Sequence, residues 1–132
     1  SSEGLIFLTN DGHFSNRISH PRYGILKTYR VSVAGRVPPA ALHKMVKGVV
    51  NHGDHLHVAR VRLLSTNNTR TILDLVLNEG NNREIRRLLQ ALGFQISRLV
   101  RIQIGPVKLG ELPQGKWRTL TETEIKSLLT PL

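Results

Sequence analysis

The eight residues from Lys27 to Ala34 constrain the fold of this chain more than any other segment. Lys27, Tyr29, Val31 and Val33 alternate with Thr28, Arg30, Ser32 and Ala34. Successive side chains of a strand point to opposite faces, so the pattern predicts a half-buried strand with one covered side. Two further extended stretches, about residues 57–65 and 70–78, are joined by Thr66-Asn67-Asn68-Thr69 and read as a hairpin. A fourth covers residues 95–104 and is stopped by Gly105-Pro106. Short strands are expected at 5–8, as a buried run, and at 117–120.

Helix signals lie between these strands. Asn10 or Asp11 can cap a helix over about 12–18, which Pro21 stops. Pro38 and Pro39 open a second, through about Lys47, with Ala41, Leu42, Met45, Val46 and Val49 as its apolar stripe. The stretch from Asn51 to His55 is turn-like. A third helix is expected over about 82–92, between the break at Glu79-Gly80-Asn81 and a C-cap at Gly93. Thr121 and Glu124 form a capping box for a last one. The predicted class is α+β: a mixed, mainly antiparallel sheet with flanking helices. A length of 132 residues fits one domain. The chain opens at Ser1-Ser2-Glu3 without an initiator Met, and an N-terminally incomplete domain is expected.

Charge narrows the function. Nineteen Lys and Arg against nine Asp and Glu give +10 and a pI near 11.1. That excess is the footprint of a nucleic-acid binder. With no Cys, neither disulfides nor thiolate metal sites are available, and a cytosolic location fits. No apolar run approaches the roughly 18 residues of a membrane span, and no basic amphipathic helix suggests a membrane surface. His52, His55 and His57 would need a further ligand to hold a metal, so polar loop histidines are expected there instead.

The third helix carries the charge in an ordered way. At about 100° per residue, Ile85, Leu88, Leu89 and Leu92 fall on one side, and Arg83, Arg86, Arg87 and Gln90 on the other. One side docks on the sheet while the other presents three guanidiniums, whose forks suit phosphate. A solvated helix face is the plainer alternative, but among these residues only Glu84 interrupts the basic stripe.

These residues belong to a longer pattern. Glu79-Gly80, Asn82-Arg83 and Ile85-Arg86-Arg87, then Gly93-Phe94, then Arg98-Leu99, Arg101-Ile102 and Ile104-Gly105 resemble the C-terminal motifs of RNA pseudouridine synthases of the ribosomal small- and large-subunit type. Lys27-Thr28-Tyr29 resembles that family's Lys-x-Tyr motif. Ser2-Glu3-Gly4-Leu5 and Leu8-Thr9-Asn10-Asp11-Gly12 resemble the segment just C-terminal to its catalytic motif, and the stretch from Gly110 to Thr121 resembles its end. The resemblance covers almost the whole chain. Asn81 departs from it, standing where the family usually has Arg or Lys.

The resemblance implies isomerisation of a uridine to pseudouridine in structured RNA, rRNA rather than tRNA, by a monomer with no cofactor or metal. An Asp carboxylate starts cleavage of the N-glycosidic bond of a uridine taken out of its stack. Alignment places that Asp two positions before Ser1, outside this sequence, and the family's small N-terminal RNA-binding module is also not in it. Asp11, Asp54 and Asp74 are poor substitutes, read as a helix cap, a turn residue and a strand residue. By the same resemblance Tyr29 packs against the flipped base, and Arg86 pairs with the Asp and keeps it ionised. Arg83, Arg87, Arg101 and Lys27 are the expected RNA contacts. Read from the residues alone, Tyr29 is a core tyrosine at a sheet edge whose hydroxyl needs a partner. Unbroken alternation puts Arg98 among Ile96, Val100, Ile102 and Ile104, as a paired or stem-buried cation, and faces Arg101 to solvent or RNA. The alternative is a noncatalytic RNA-binding domain with the same fold.

Overall fold

The computed structural model describes residues 3–78 and 82–130. The expected break at Glu79-Gly80-Asn81 lies outside them. Strand β1 (Glu3–Gly4) is followed by α1 (Gly12–Ser19), a 3₁₀ turn (Pro21–Tyr23), β2 (Lys27–Ala34), α2 (Pro39–Lys47), β3 (Val49–Asn51) and β4 (Asp54–Leu56). Then come β5 (Arg60–Thr66), β6 (Arg70–Leu77), α3 (Asn82–Ala91), β7 (Ile96–Ile104), β8 (Val107–Lys108) and α4 (Glu122–Leu129). The main sheet runs β1-β7-β2-β6-β5, with β8 also on β7. Its pairs are antiparallel except β1 with β7, so the α+β class and the mainly antiparallel sheet hold.

The alternation in β2 builds the core. Tyr29, Val31 and Val33 are buried and stand beside Leu73, Leu75 and Leu77 of β6 and Leu99 of β7. Ala41 and Met45 of α2 and Ile85, Leu88 and Leu89 of α3 cover this face. Met45, Ile85, Leu88 and Leu89 are essentially inaccessible. Each such side chain contributes about 2 kcal/mol over an exposed one. Val46, expected in the α2 stripe, is 45% exposed instead, and Val49 starts β3. A second, smaller core of Ile18, Ile25, Ile104, Val107 and Leu128 packs with Leu5, Phe7, Phe14 and Leu120.

The caps act where the sequence puts them. Asp11 Oδ1 accepts the N–H groups of His13 and Phe14 at the start of α1. Thr121 and Glu124 close the reciprocal capping box of α4.

Four further expectations are corrected or refined. Residues 5–8 are not a buried strand. Pairing to β7 stops after the Leu5 N–H bonds to Arg101 O, because Gln103 and Ile104 beyond it already pair with β8. Leu5 and Phe7 pack inward while Ile6 and Leu8 stay exposed. Residues 117–120 are irregular and Trp117 is 83% exposed, since Arg118 is tied to Thr119 O and Glu124 rather than to a strand. The turn-like stretch 51–55 is the tip of the β3–β4 hairpin, whose central pair His52 and Gly53 have φ of 51° and 83°. Positive φ at both positions is the turn geometry that suits a tight hairpin.

The fourth correction concerns β7. Its register to β2 shifts twice, between Thr28 and Tyr29 and between Ser32 and Val33. Each irregularity switches the side-chain parity. Ile96 therefore joins the buried face while Arg98 points away from it and is exposed. The expected pairing of Arg98 is present, with both Glu3 oxygens at 3.0 Å. The same shifts put Arg101 on the side of Tyr29, half-buried rather than freely solvated.

Candidate functional site

Tyr29 lies at the centre of β2, opposite Leu75 on one side and Arg101 on the other. Its ring belongs to the main core and the residue is 4% exposed. Among the described residues its hydroxyl has no hydrogen-bond partner, yet it is not one of the sealed, unsatisfied polar atoms. The ring is therefore gripped while the hydroxyl end stays open. A hydroxyl that is not sealed from water is available to a bound group without a buried, unsatisfied polar atom being left behind.

Two cations stand beside it. Lys27 is two residues away on the same strand and half-buried. Burial holds its ammonium below the usual lysine range, and the nearby Arg101 charge adds to that. Arg101 is oriented by its own bond, Nε donating to Leu5 O at 2.8 Å.

That bond depends on Gly4, which sits directly opposite Arg101 with φ of 117°. A Cβ on Gly4 would lie 2.4 Å from both the N and the O of Arg101. Only glycine allows the two backbones so close, and no L side chain adopts that φ cheaply. Gly4 thus presses the N-terminal strand onto β7 at the residue facing Tyr29. Leu5 N–H completes the contact, donating to Arg101 O at 2.9 Å. In the sequence Gly4 has only a place in a motif. A glycine within a strand is a general sign of close backbone approach and could have marked it.

The α3 stripe is as predicted in outline. Ile85, Leu88 and Leu89 are buried, Arg83 and Gln90 exposed, and Arg86 and Arg87 partly exposed. Arg86 follows Ile85, which is buried in the same cluster as Tyr29. Arg87 is engaged inside the fold. It donates to Asn51 O at 3.0 Å and Asn51 Oδ1 at 3.1 Å, and pairs with Asp54 at 3.0 Å. Glu84 lies 3.8 Å away on its own helix. Arg87 thereby stitches the β3–β4 hairpin to α3, a role the charge pattern did not reveal.

The remaining candidates have other employment. Asp74 is buried and accepts two bonds from Arg30, at 2.9 and 3.0 Å. Asp11 caps α1. The His55 and His57 rings lie 5.1 Å apart, and among the described residues no group of three or more His or acidic side chains could hold a metal.

A buried tyrosine with an open hydroxyl, flanked by Lys27 and Arg101 beneath a glycine-tight strand, suits a flat group carried by a phosphate backbone. The comparisons agree in kind. The family described as RNA pseudouridylate synthase matches residues 1–91. The chain belongs to the RNA pseudouridine synthase family. It is 39% identical over 128 residues to an uncharacterized RNA pseudouridine synthase of Aquifex aeolicus, spanning 97% of this chain and 51% of that protein. It is 36% identical over 129 residues to the ribosomal large subunit pseudouridine synthase B of Bacillus subtilis, spanning 96% and 53%. A crystal structure of a pseudouridylate synthase superposes with a TM-score of 0.84 at 32% identity, covering 97% of this chain and 55% of that one. The chain spans about half the length of these relatives.

Proposed function

We propose that the protein containing this chain converts a specific uridine of structured RNA, within rRNA, to pseudouridine, and that residues 1–132 form the larger part of its single catalytic domain. The nucleophile is an Asp carried by the segment upstream of Ser1. It starts cleavage of the bond between uracil N1 and the ribose. The base turns and rejoins the ribose through C5, the C5 proton leaves, and N1 takes up a proton, so product and substrate are isomers. Tyr29 packs on the flipped base with its hydroxyl toward the ring. Arg86 pairs with the Asp and keeps it ionised at neutral pH. Arg83, Lys27 and Arg101 hold the flanking phosphates. Arg87 shares its charge with Asp54 and Glu84 and adds least to that grip. No cofactor or metal takes part, and the protein works as a cytoplasmic monomer.

The observation that carries the reading is Gly4 seated on Arg101 opposite Tyr29. It holds Glu3 and Gly4 against β7 at the residue beside Tyr29, which supports a site assembled where β1 meets β7. The relatives named for the large ribosomal subunit favour rRNA as the substrate. The test is tritium release from RNA labelled at uridine C5, comparing residues 1–132 with the same chain extended upstream to its native start. Release only with the extension supports the reading. Release with neither, on total rRNA and tRNA, contradicts it and favours a noncatalytic RNA-binding domain.

A further inference from the structure

The face of the sheet away from Tyr29 is also chemically distinctive. Helices α2 and α3 cover the side that carries Val31, Leu73, Leu75 and Leu99. On the other side, register pairs align Glu3, Val100, Arg30, Asp74 and Arg62 in one row across all five strands. Arg60 lies on the same side, opposite Val76, and Arg70 opposite Ala34. Arg30, Arg60, Arg62, Arg70 and Arg98 are all exposed there. The acids on this face are Glu3 and Asp74. Glu3 is bonded to Arg98, and Asp74 to Arg30. With exposed Lys108 of β8, which pairs with Gln103 on the same side, six cations against two anions leave the face at net +4. Arg60, Arg62 and Arg70 have no acidic partner among the described residues.

We propose that this uncovered sheet face is a second contact surface for the phosphate backbone of structured RNA, centred on Arg60 and Arg62 and flanked by Arg30 and Arg70. The inference rests on the RNA reading above and extends it to the opposite side of the sheet. Residues two apart on a strand are about 6.8 Å apart, and neighbouring strands about 4.8 Å. Arg62 therefore stands about 7 Å from Arg60 and about 10 Å from Arg30, two strands away, with Arg60 about 12 Å from Arg30. Asp74 holds the Arg30 guanidinium by two parallel bonds, which fixes its orientation without covering it. Such a rigid, flat array of forks matches phosphate oxygens and carries no means of reading a base. A folded RNA large enough to present a uridine to Tyr29 can reach around the β5 edge with a neighbouring helix.

The test uses the full-length protein and two RNAs. Tritium release from total rRNA reports the uridine chemistry. Binding to a labelled GC stem with an adenosine loop, which holds no uridine, reports backbone contact alone. The double substitution Arg60→Ser/Arg62→Ser is compared with Lys44→Ser/Lys47→Ser, exposed cations of α2 that remove the same charge. The expected result is about a 10-fold loss of stem affinity for the arginine pair and a salt slope shallower by about 1–2, with a much smaller change for the lysine pair. Melting temperatures should match wild type, because neither arginine has an acidic partner among the described residues. Equal losses in both variants would reduce the effect to bulk charge and overturn the proposal. Unchanged affinity would also overturn it and leave Arg60 and Arg62 as guards of the β5 edge. A wild-type protein that neither binds the stem nor releases tritium would instead sink the RNA reading itself.

Discussion

Replacing Gly4 by Ala separates the stability of this fold from the integrity of its site. At φ of 117° an alanine is strained by about 1–3 kcal/mol. Its Cβ would also sit 2.4 Å from backbone atoms of Arg101, which cannot yield as a side chain tip can. The protein's cheaper course is to release the strand. That sacrifices the bond from Leu5 N–H to Arg101 O and the one from Arg101 Nε to Leu5 O, about 1 kcal/mol each. Those two bonds set the cost in global stability at about 2 kcal/mol, the exposed Glu3–Arg98 pair released with them adds little, and the variant stays folded. On the proposed function catalysis has no such ceiling, because releasing β1 displaces the upstream segment proposed to carry the nucleophile. A displacement of about 1 Å costs on the order of 100-fold in rate. Gly12→Ala is the matched control, since nothing lies within 4 Å of its added Cβ. Urea denaturation and tritium release on the full-length variants measure the two effects. A Gly4→Ala protein that turns over like wild type would show that the Gly4–Arg101 contact does not hold the site.

Three further outcomes rest on named contacts. Thr71 is inaccessible, and its Oγ1 donates to Gly35 O at 2.8 Å, accepts Val37 N–H at 3.2 Å and lies 2.7 Å from Thr66 Oγ1. Thr71→Val keeps the shape and strands those partners, and urea titration should show a loss of about 2 kcal/mol. Arg87→Met should uncouple the β3–β4 hairpin from α3, and hydrogen exchange of the Val49 and Leu56 amides should quicken well before the β2 amides change; equal protection would show that Asn51 and Asp54 are not held by Arg87. The bonds from Arg118, then that from the Thr121 N–H, hold the Glu124 carboxyl down at about 2. A depressed carboxylate stabilises the fold above its ordinary pKa near 4.5 and loses that contribution as pH falls toward about 2. For a pair this close to solvent the contribution is small. Glu124→Gln should remove it above pH 5 and leave stability near pH 2 unchanged.

The sequence read well where order is local. The eight-residue alternation of β2, the buried stripe of α3, the Asp11 cap and the Thr121 box each depend on spacing within a few residues, and each stands in the structure. It read less well where a distant strand decides the outcome. The two register shifts in β7 are set by pairing with β2, so simple alternation exchanged the surroundings of Arg98 and Arg101. The strand expected at 5–8 failed because β8 occupies the edge it would have used. For the site, the pattern of β2 gave Tyr29 only as a core residue; its proposed role and those of Lys27 and Arg101 came from the family resemblance, and the half-buried place of Arg101 beside Tyr29 came from the structure. Gly4 and Arg87 were legible only as motif letters, because their roles are contacts across 97 and 36 positions, to Arg101 and Asn51. Charge patterning shows that Arg87 is basic; it cannot show that Asn51 and Asp54 have already claimed it.

The proposed function turns on the hydroxyl of Tyr29 meeting the target uracil. The direct measurement is tritium release from C5-labelled rRNA by the full-length protein carrying Tyr29→Phe, with RNA affinity measured alongside. The substitution leaves the buried ring in place, so affinity should stay within about twofold of wild type while turnover falls by at least about 100-fold. Near-normal turnover would return Tyr29 to the core as a packing residue and leave the site without its centre.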